Sequence, residues 1–241
     1  MPAYGAAQYA LYGEVALAPA RSLVAVPEGV GFNEAAATWA AYGTAWGGLV
    51  SVGSLQVGQT ILISARIEQC GSCGDPDRQS TRCPSGGTHP YRRKAAELRR
   101  LGASAVIATG EQDVVAEAKG LTAGKGADLV FDPVGGPEFA TLARATTAGG
   151  ILVLYGALDM RPTTVPPFEV FARDLTIRGL ALAALTRNDA KLAQLKRFIS
   201  EGLAEGAFHP TISRIFPFDQ IADAHRFMEA GEQVGKILIT L

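Results

Sequence analysis

ADLVFDPVGGPEFATLARATTAGGILVLYGAL, residues 127–158, decides the fold. ADLVFDPVGG reads as a strand running into a Gly loop. PEFATLARATTAGG reads as a helix with Pro137 at its start. GILVLYGAL is a second strand. A strand, a helix and a strand in succession make a βαβ unit, which places both strands in a parallel sheet.

The same alternation extends to both sides. Upstream, QTILISA is a short apolar run typical of a strand buried on both faces. RRKAAELRRLGA is a helix closed by Gly102, SAVIATG a strand, and EQDVVAEAKGLTAG a helix with acidic residues in its first turn. Further upstream, FNEAAATWAAYGTAWGGLV reads as a helix with Asn33 as cap, and GEVALAPARSLVAVPEGV as two short strands broken by Pro19. Downstream, PPFEVFARD is a short helix and LTIRGLALAAL a further strand. NDAKLAQLKRFISEGLAEG is an amphipathic helix capped by Asn188 or Asp189 and stopped by Gly206. RIFPF is a strand, DQIADAHRFMEAGE a helix and GKILITL a closing strand. The fold class expected is α/β, with a parallel sheet.

Bulk properties narrow the function. The chain has 241 residues, 48% of them hydrophobic, enough for one large or two smaller cores. A net charge of −1 gives no basic surplus, so nucleic acid is not an expected partner. No apolar run approaches a membrane span, and the N-terminus lacks the pattern of a signal peptide. The expectation is a soluble cytoplasmic protein with no structural disulfides.

The set AAATWAAYGTAWGGLV, VGQTILISA, RRKAAELRRLGASAVIATG, GKGADLVFDPVGG, AGGILVLYGAL and FPFDQIADAHRFMEAGEQVGKILITL resembles the medium-chain dehydrogenase/reductase superfamily, in its quinone oxidoreductase-like, zinc-type alcohol dehydrogenase-like branch. The resemblance covers most of the chain and rests on order and spacing together. It implies a Rossmann-type sheet with helices on both faces, joined to the remnant of a β-rich, GroES-like catalytic domain. The implied organisation is residues 1–45 as that remnant and a junction helix, 46–182 as the dinucleotide-binding domain, and 183–241 as the return to the catalytic domain. The family places a catalytic domain of roughly a hundred residues before the dinucleotide-binding domain. Only its last strands are expected here, as in an N-terminally truncated chain.

The resemblance further implies an NAD(P)H-dependent oxidoreductase acting on a quinone, enone or other carbonyl compound. Val134 and Gly135 in DPVGG, with Tyr155, Gly156 and Ala157 in the next loop, would lie near the nicotinamide. Each is equally readable as a turn residue. Arg92, Arg93 and Lys94 follow the position of the second strand, where basic residues hold the 2′-phosphate of NADPH; the bland alternative is a solvated helix start. This trio favours NADPH over NADH. Thr44 and Tyr42 would line the active cleft, or pack with Trp39 and Trp46. No catalytic side chain is identified. His89, His209 and His225 are scattered, and Glu201 and Glu205 at i,i+4 spacing are explained by solvation.

Residues 66–91 break the pattern. They carry all three Cys of the chain, with Gly71, Gly74 and Pro76 where a helix should run. Three readings stay open. Cys70, Cys73, Cys83 and His89 form an order suited to structural zinc, although zinc is the least favoured cofactor. The segment is alternatively a polar surface loop. Thirdly, one admissible codon choice for Ile67 to Gln79, read one nucleotide later, spells S-S-S-V-G-L-A-A-I-Q-I-A, a phosphate loop and helix of the kind the family carries. For the protein made as written, the second strand is expected to be lost and cofactor binding to be weak or absent. The alternatives to an impaired reductase are the zinc module and a non-catalytic remnant forming a homodimer through LTIRGLALAAL.

Overall fold

The computed structural model describes residues 13–64, 85–89, 95–231 and 233–241. In chain order the elements are α1 (Phe32–Ala45), a π-helical segment (Trp46–Val52), β1 (Ile61–Ile63), β2 (Ser85–His89), α2 (Ala95–Arg100) and β3 (Ala105–Ala108). Then follow α3 (Val114–Leu121), β4 (Ala127–Asp132), α4 (Phe139–Ala145), β5 (Thr146–Leu154), α5 (Pro167–Ala172) and β6 (Thr176–Gly179). The last are α6 (Leu182–Arg187), α7 (Asp189–Ala204), β7 (Ile212–Pro217), α8 (Ile221–Ala230) and β8 (Lys236–Thr240). The chain divides into two compact units. One contains the described residues up to Thr44 and from Ala181 onward; the other spans Ala45 to Leu180.

The second unit is a six-stranded sheet in the order β3-β2-β1-β4-β5-β6, every neighbouring pair parallel. This is the Rossmann order, in which the winding reverses between β1 and β4. Register explains why the central strands read as continuous apolar runs. Leu62, Val130 and Leu152 lie side by side across β1, β4 and β5. They pack on one face against Val114 and Ala118 of α3 and Phe139, Leu142 and Ala143 of α4. The intervening positions, Ile63, Phe131 and Val153, form the next row, and period-two geometry turns them to the opposite face. There the π-helical segment approaches closely: a Cβ on Gly48 would sit 2.1 Å from Phe131 Cε2.

β2 corrects an expectation. The second strand is present, and Ser-Gly-Gly-Thr-His occupies its place with Ile61 opposite Ser85 and Ile63 opposite Gly87. The backbone alone makes the ladder, so a segment without apolar period still pairs. The zinc candidates Cys70, Cys73 and Cys83 lie outside the described residues, and only the backbone of His89 is described.

Two more expectations change. Residues 14–30 form no strands; they hold bends and a 3₁₀ turn at Ala20–Ser22, with Val15 85% and Leu17 78% exposed. Side chains hold this segment in place of a ladder. Lys196 Nζ donates to Leu23 O at 2.9 Å, and Arg21 donates to Thr186 O at 2.8 Å and pairs with Asp189 at 2.6 Å. LTIRGLALAAL is a strand only over Thr176–Gly179 and turns into α6 at Leu182, where Leu and Ala are good helix formers.

Caps follow local chemistry. Asp113 accepts from Val115 N and Ala116 N at the start of α3, and Asn188 accepts from Lys191 N at 3.0 Å at the start of α7. Asn33 is not a cap: α1 begins at Phe32, and Ala35 N donates to Gly31 O. In the first unit β7 and β8 pair in parallel, with α8 between them in sequence. The Tyr42 and Phe208 rings pack at a tilt of 31° with centroids 4.2 Å apart, in the core of that unit.

Candidate functional site

The carboxyl ends of β1 and β4 meet at the reversal of strand order, where open α/β sheets bind ligands. Ser64 follows β1 and Asp132 ends β4. Both are buried, at 6% and 0% exposure. The Ser64 hydroxyl donates to Asp132 Oδ1, and Ser64 N donates to Phe131 O at 3.1 Å.

Asp132 then shapes the loop that follows it. Its Oδ1 accepts from Val134 N at 2.9 Å and its Oδ2 from Gly135 N at 3.0 Å. A buried carboxylate is costly unless its lone pairs are filled; here a hydroxyl and two amides fill them. Gly135 and Gly136 follow with φ of +68° and +65°, the left-handed region that a side chain would strain.

A second loop, residues 155–164, crosses the first. Tyr155 N donates to Asp132 O at 2.9 Å, Leu158 N to Pro133 O at 3.1 Å and Asp159 N to Val134 O at 3.0 Å. Thr163 Oγ1 accepts from Gly136 N at 3.1 Å, and Thr164 N donates to Gly136 O at 3.2 Å. At Gly156 a Cβ would fall 2.5 Å from Pro133 O, so the two loops touch backbone to backbone. The Tyr155 ring stacks on Phe131 with centroids 3.9 Å apart. Arg161 closes the second loop on Asp159 through contacts of 2.6 to 3.0 Å. The side-chain hydrogen bonds from Arg161 hold the Asp159 carboxyl down at about 2 and raise the Arg161 guanidinium above its ordinary value.

Five of the expected site residues, Val134, Gly135, Tyr155, Gly156 and Ala157, therefore belong to two interlocked loops at the switch point. Their surface is backbone and small side chains beside one aromatic ring. Of these five, Gly135 is buried, Val134, Tyr155 and Gly156 are half-buried and Ala157 is exposed. Thr44 lies in the other unit, where its hydroxyl donates to Ala40 O at 2.7 Å within α1. Arg92, Arg93 and Lys94 lie outside the described residues. Sequence reading missed the Ser64–Asp132 link and the role of Asp159, Arg161 and Thr163. The available signal was Asp followed by Pro-Val-Gly-Gly, a side-chain turn pattern.

Metal chemistry finds no donor set here. Among the described residues no group of three His, Cys, Asp or Glu side chains is placed to hold an ion. Among those residues, too, no helix is long and apolar enough to cross a membrane.

The pattern of a family described as zinc-binding dehydrogenase matches residues 101–239. The chain is 24% identical over 231 residues to a quinone oxidoreductase-like protein 2 homolog of Nematostella vectensis, covering 94% of this chain and 62% of that protein. It is 27% identical over 248 residues to the synaptic vesicle membrane protein VAT-1 homolog of Rattus norvegicus, covering 95% and 60%. The chain thus spans less than two thirds of these relatives. Among solved structures, an NAD-dependent alcohol dehydrogenase aligns with TM-score 0.76 at 28% identity, covering 95% of this chain and 65% of that one. A mycobacterial protein solved with NADPH aligns with TM-score 0.81 at 24% identity, covering 95% and 71%.

Proposed function

The chain belongs to the zinc-binding dehydrogenase family, and on that premise we propose that its activity is reduction of a quinone, enone or other carbonyl compound by NADPH, weakened in this chain. The observation carrying this reading is the pair of interlocked loops at the switch point, built on Asp132. When bound, the nicotinamide supplies the hydride, and solvent supplies the proton that completes reduction.

The contribution of this chain is placement. Val134 and Ala157 would bound the nicotinamide ring, and Tyr155, fixed on Phe131, would limit its tilt. Gly135 and Gly156 keep side chains out of the contact between the two loops. In the sequence, Arg92, Arg93 and Lys94 support NADPH over NADH, because a 2′-phosphate needs cationic donors. The relative named as quinone oxidoreductase-like supports the substrate class. The weakness follows from residues 66–91. A pyrophosphate is gripped by backbone N–H groups at a helix start after the first strand, and the Gly71, Gly74 and Pro76 positions disfavour that helix.

The test is titration of the purified chain with NADPH and NADH, followed by the nucleotide's own fluorescence. Oxidation is then measured with 1,4-benzoquinone and an α,β-unsaturated aldehyde. Expected is weak NADPH binding displaced by NADP⁺, weaker NADH binding, and slow turnover. Tight binding with fast turnover overturns the impairment. Saturation with no competition by NADP⁺ overturns the cofactor assignment.

A further inference from the structure

We propose that Ile67 to Tyr91 is an out-of-frame reading of a coding sequence that, one nucleotide later, spells a phosphate-binding turn, a helix and the second strand of this sheet. The phosphate-binding part of the inference rests on the cofactor reading above; the strand part stands on the sheet.

The sheet supplies the first observation. β2 is an interior strand, held between β1 and β3. Ser85, Gly86 and Gly87 face Ile61, Leu62 and Ile63 on one side, and Gly86 to His89 face Ala105 to Ala108 on the other. Interior parallel strands are rich in Val, Ile and Leu, as both flanking strands are. Gly within a strand weakens it. Ser-Gly-Gly-Thr-His is thus a poor occupant of a well-defined place.

The genetic code supplies the second. Shifted by one nucleotide, the codons of Ser85 to His89 admit V-V-A-L-T, a strand sequence at the very residues that the sheet assigns to β2. The whole of Ile67 to Tyr91 admits S-S-S-V-G-L-A-A-I-Q-I-A-K-A-R-G-A-R-V-V-A-L-T-R-T. Several of these residues are dictated, not chosen. Whatever codons are used, the shifted codons that begin in Cys70, Cys73 and Cys83 encode only Val or Ala. Those that begin in Asp75, Asp77 and His89 encode only Ile or Thr. All three Cys of the chain fall in this segment, as expected if apolar codons are being read out of frame.

The third observation is topological. Parallel neighbours such as β1 and β2 need a crossover of a dozen residues or more, usually a helix. In the frame as given, the span contains Gly71, Gly74, Pro76 and Pro84. In the shifted frame it opens with Ser residues and a Gly, suited to close backbone approach to phosphate. It continues through L-A-A-I-Q-I-A-K-A, all helix-compatible residues without Pro. It then closes on R-G-A, with Gly where a helix ends. Turn, helix, Gly stop and β-branched strand appear in the order the sheet requires. The frame as given resumes by about Arg92, and α2 follows from Ala95.

The first measurement is the coding DNA across codons 60 to 95. The expected result is the helix and strand above in the shifted frame, bounded by a compensating pair of single-nucleotide changes. A stop codon in the shifted frame, or codons giving no apolar run at Ser85 to His89, overturns the proposal. The second measurement is NADPH titration of the full chain carrying the shifted peptide in place of Ile67 to Tyr91. Binding about tenfold or more tighter than that of the chain as given supports the phosphate-binding part. If the DNA spells the helix and strand but the restored chain binds no better, that part is overturned together with the cofactor reading, and the frame and strand inference stands. If the DNA does not spell them, the frame inference falls whatever the titration shows.

Discussion

Ser64 and Asp132 are joined by a buried hydrogen bond from hydroxyl to carboxylate, and this bond ties the end of β1 to the end of β4 where the sheet reverses its winding. The same carboxylate holds the Val134 and Gly135 amides. One side chain thus sets both the spacing of the two strands and the shape of the loop between β4 and α4.

Asp132→Ala should cost on the order of 3 kcal/mol, because it orphans a buried hydroxyl and two amides at once. Ser64→Ala removes one bond and should cost about 1 kcal/mol. In a double-mutant cycle by chemical denaturation, the pair should show coupling of about 0.5 kcal/mol or more. Additive losses would mean that the two side chains do not act on each other.

Gly48 and Phe131 make a second relation that only backbone can satisfy. A Cβ at Gly48 would fall 2.1 Å from Phe131 Cε2, inside any tolerated contact. Gly48→Ala should therefore destabilise by about 1–3 kcal/mol through overpacking. The loss should shrink in the background of Phe131→Leu, which withdraws the ring edge. A thermal melt of the four variants checks this, and an unchanged melting temperature for Gly48→Ala alone would contradict the close approach.

The Asp159–Arg161 pair carries a pH signature. The Asp159 carboxyl titrates at about 2 in the folded chain against an ordinary 3.8, because Arg161 donates to it. A depressed carboxylate contributes stability that is complete above about pH 4 and is lost as pH falls through about 2. Carbon-detected NMR should place its midpoint near 2 in the chain as given. Arg161→Gln should move the midpoint up toward the ordinary value, and a midpoint already at the ordinary value would break the pairing.

Much of this was legible in the sequence because burial on both faces leaves a readable mark. ILI, LVF and ILVL announce β1, β4 and β5, and their place between helical periods announces a parallel sheet. The Gly-rich loops were readable because a tight turn needs Gly. β2 was not, since Ser-Gly-Gly-Thr-His pairs through backbone and carries no pattern. The strands expected over residues 14–30 failed for the opposite reason. Val15 and Leu17 have strand chemistry, but a strand needs a partner, and these side chains stay exposed. In the candidate site the loop residues were found, while the Ser64–Asp132 bond was not. It joins positions that are distant in sequence, and no local period encodes it.

The remaining prediction concerns assembly. β6 is one edge of the six-stranded sheet, and Ile177 within it is 37% exposed. At the other edge, β3 has Ile107 and Ala108 buried. An open edge with an apolar side chain is a template for pairing with a second chain. A homodimer through β6 is therefore expected, visible as a concentration-dependent mass in sedimentation equilibrium. Ile177→Lys puts a charge on that edge and should weaken the dimer about tenfold or more, with little change in the melting temperature of the dilute protein. If the mass stays monomeric at every concentration, β6 is not an interface. If Ile177→Lys leaves a dimer untouched, the chains associate through another surface.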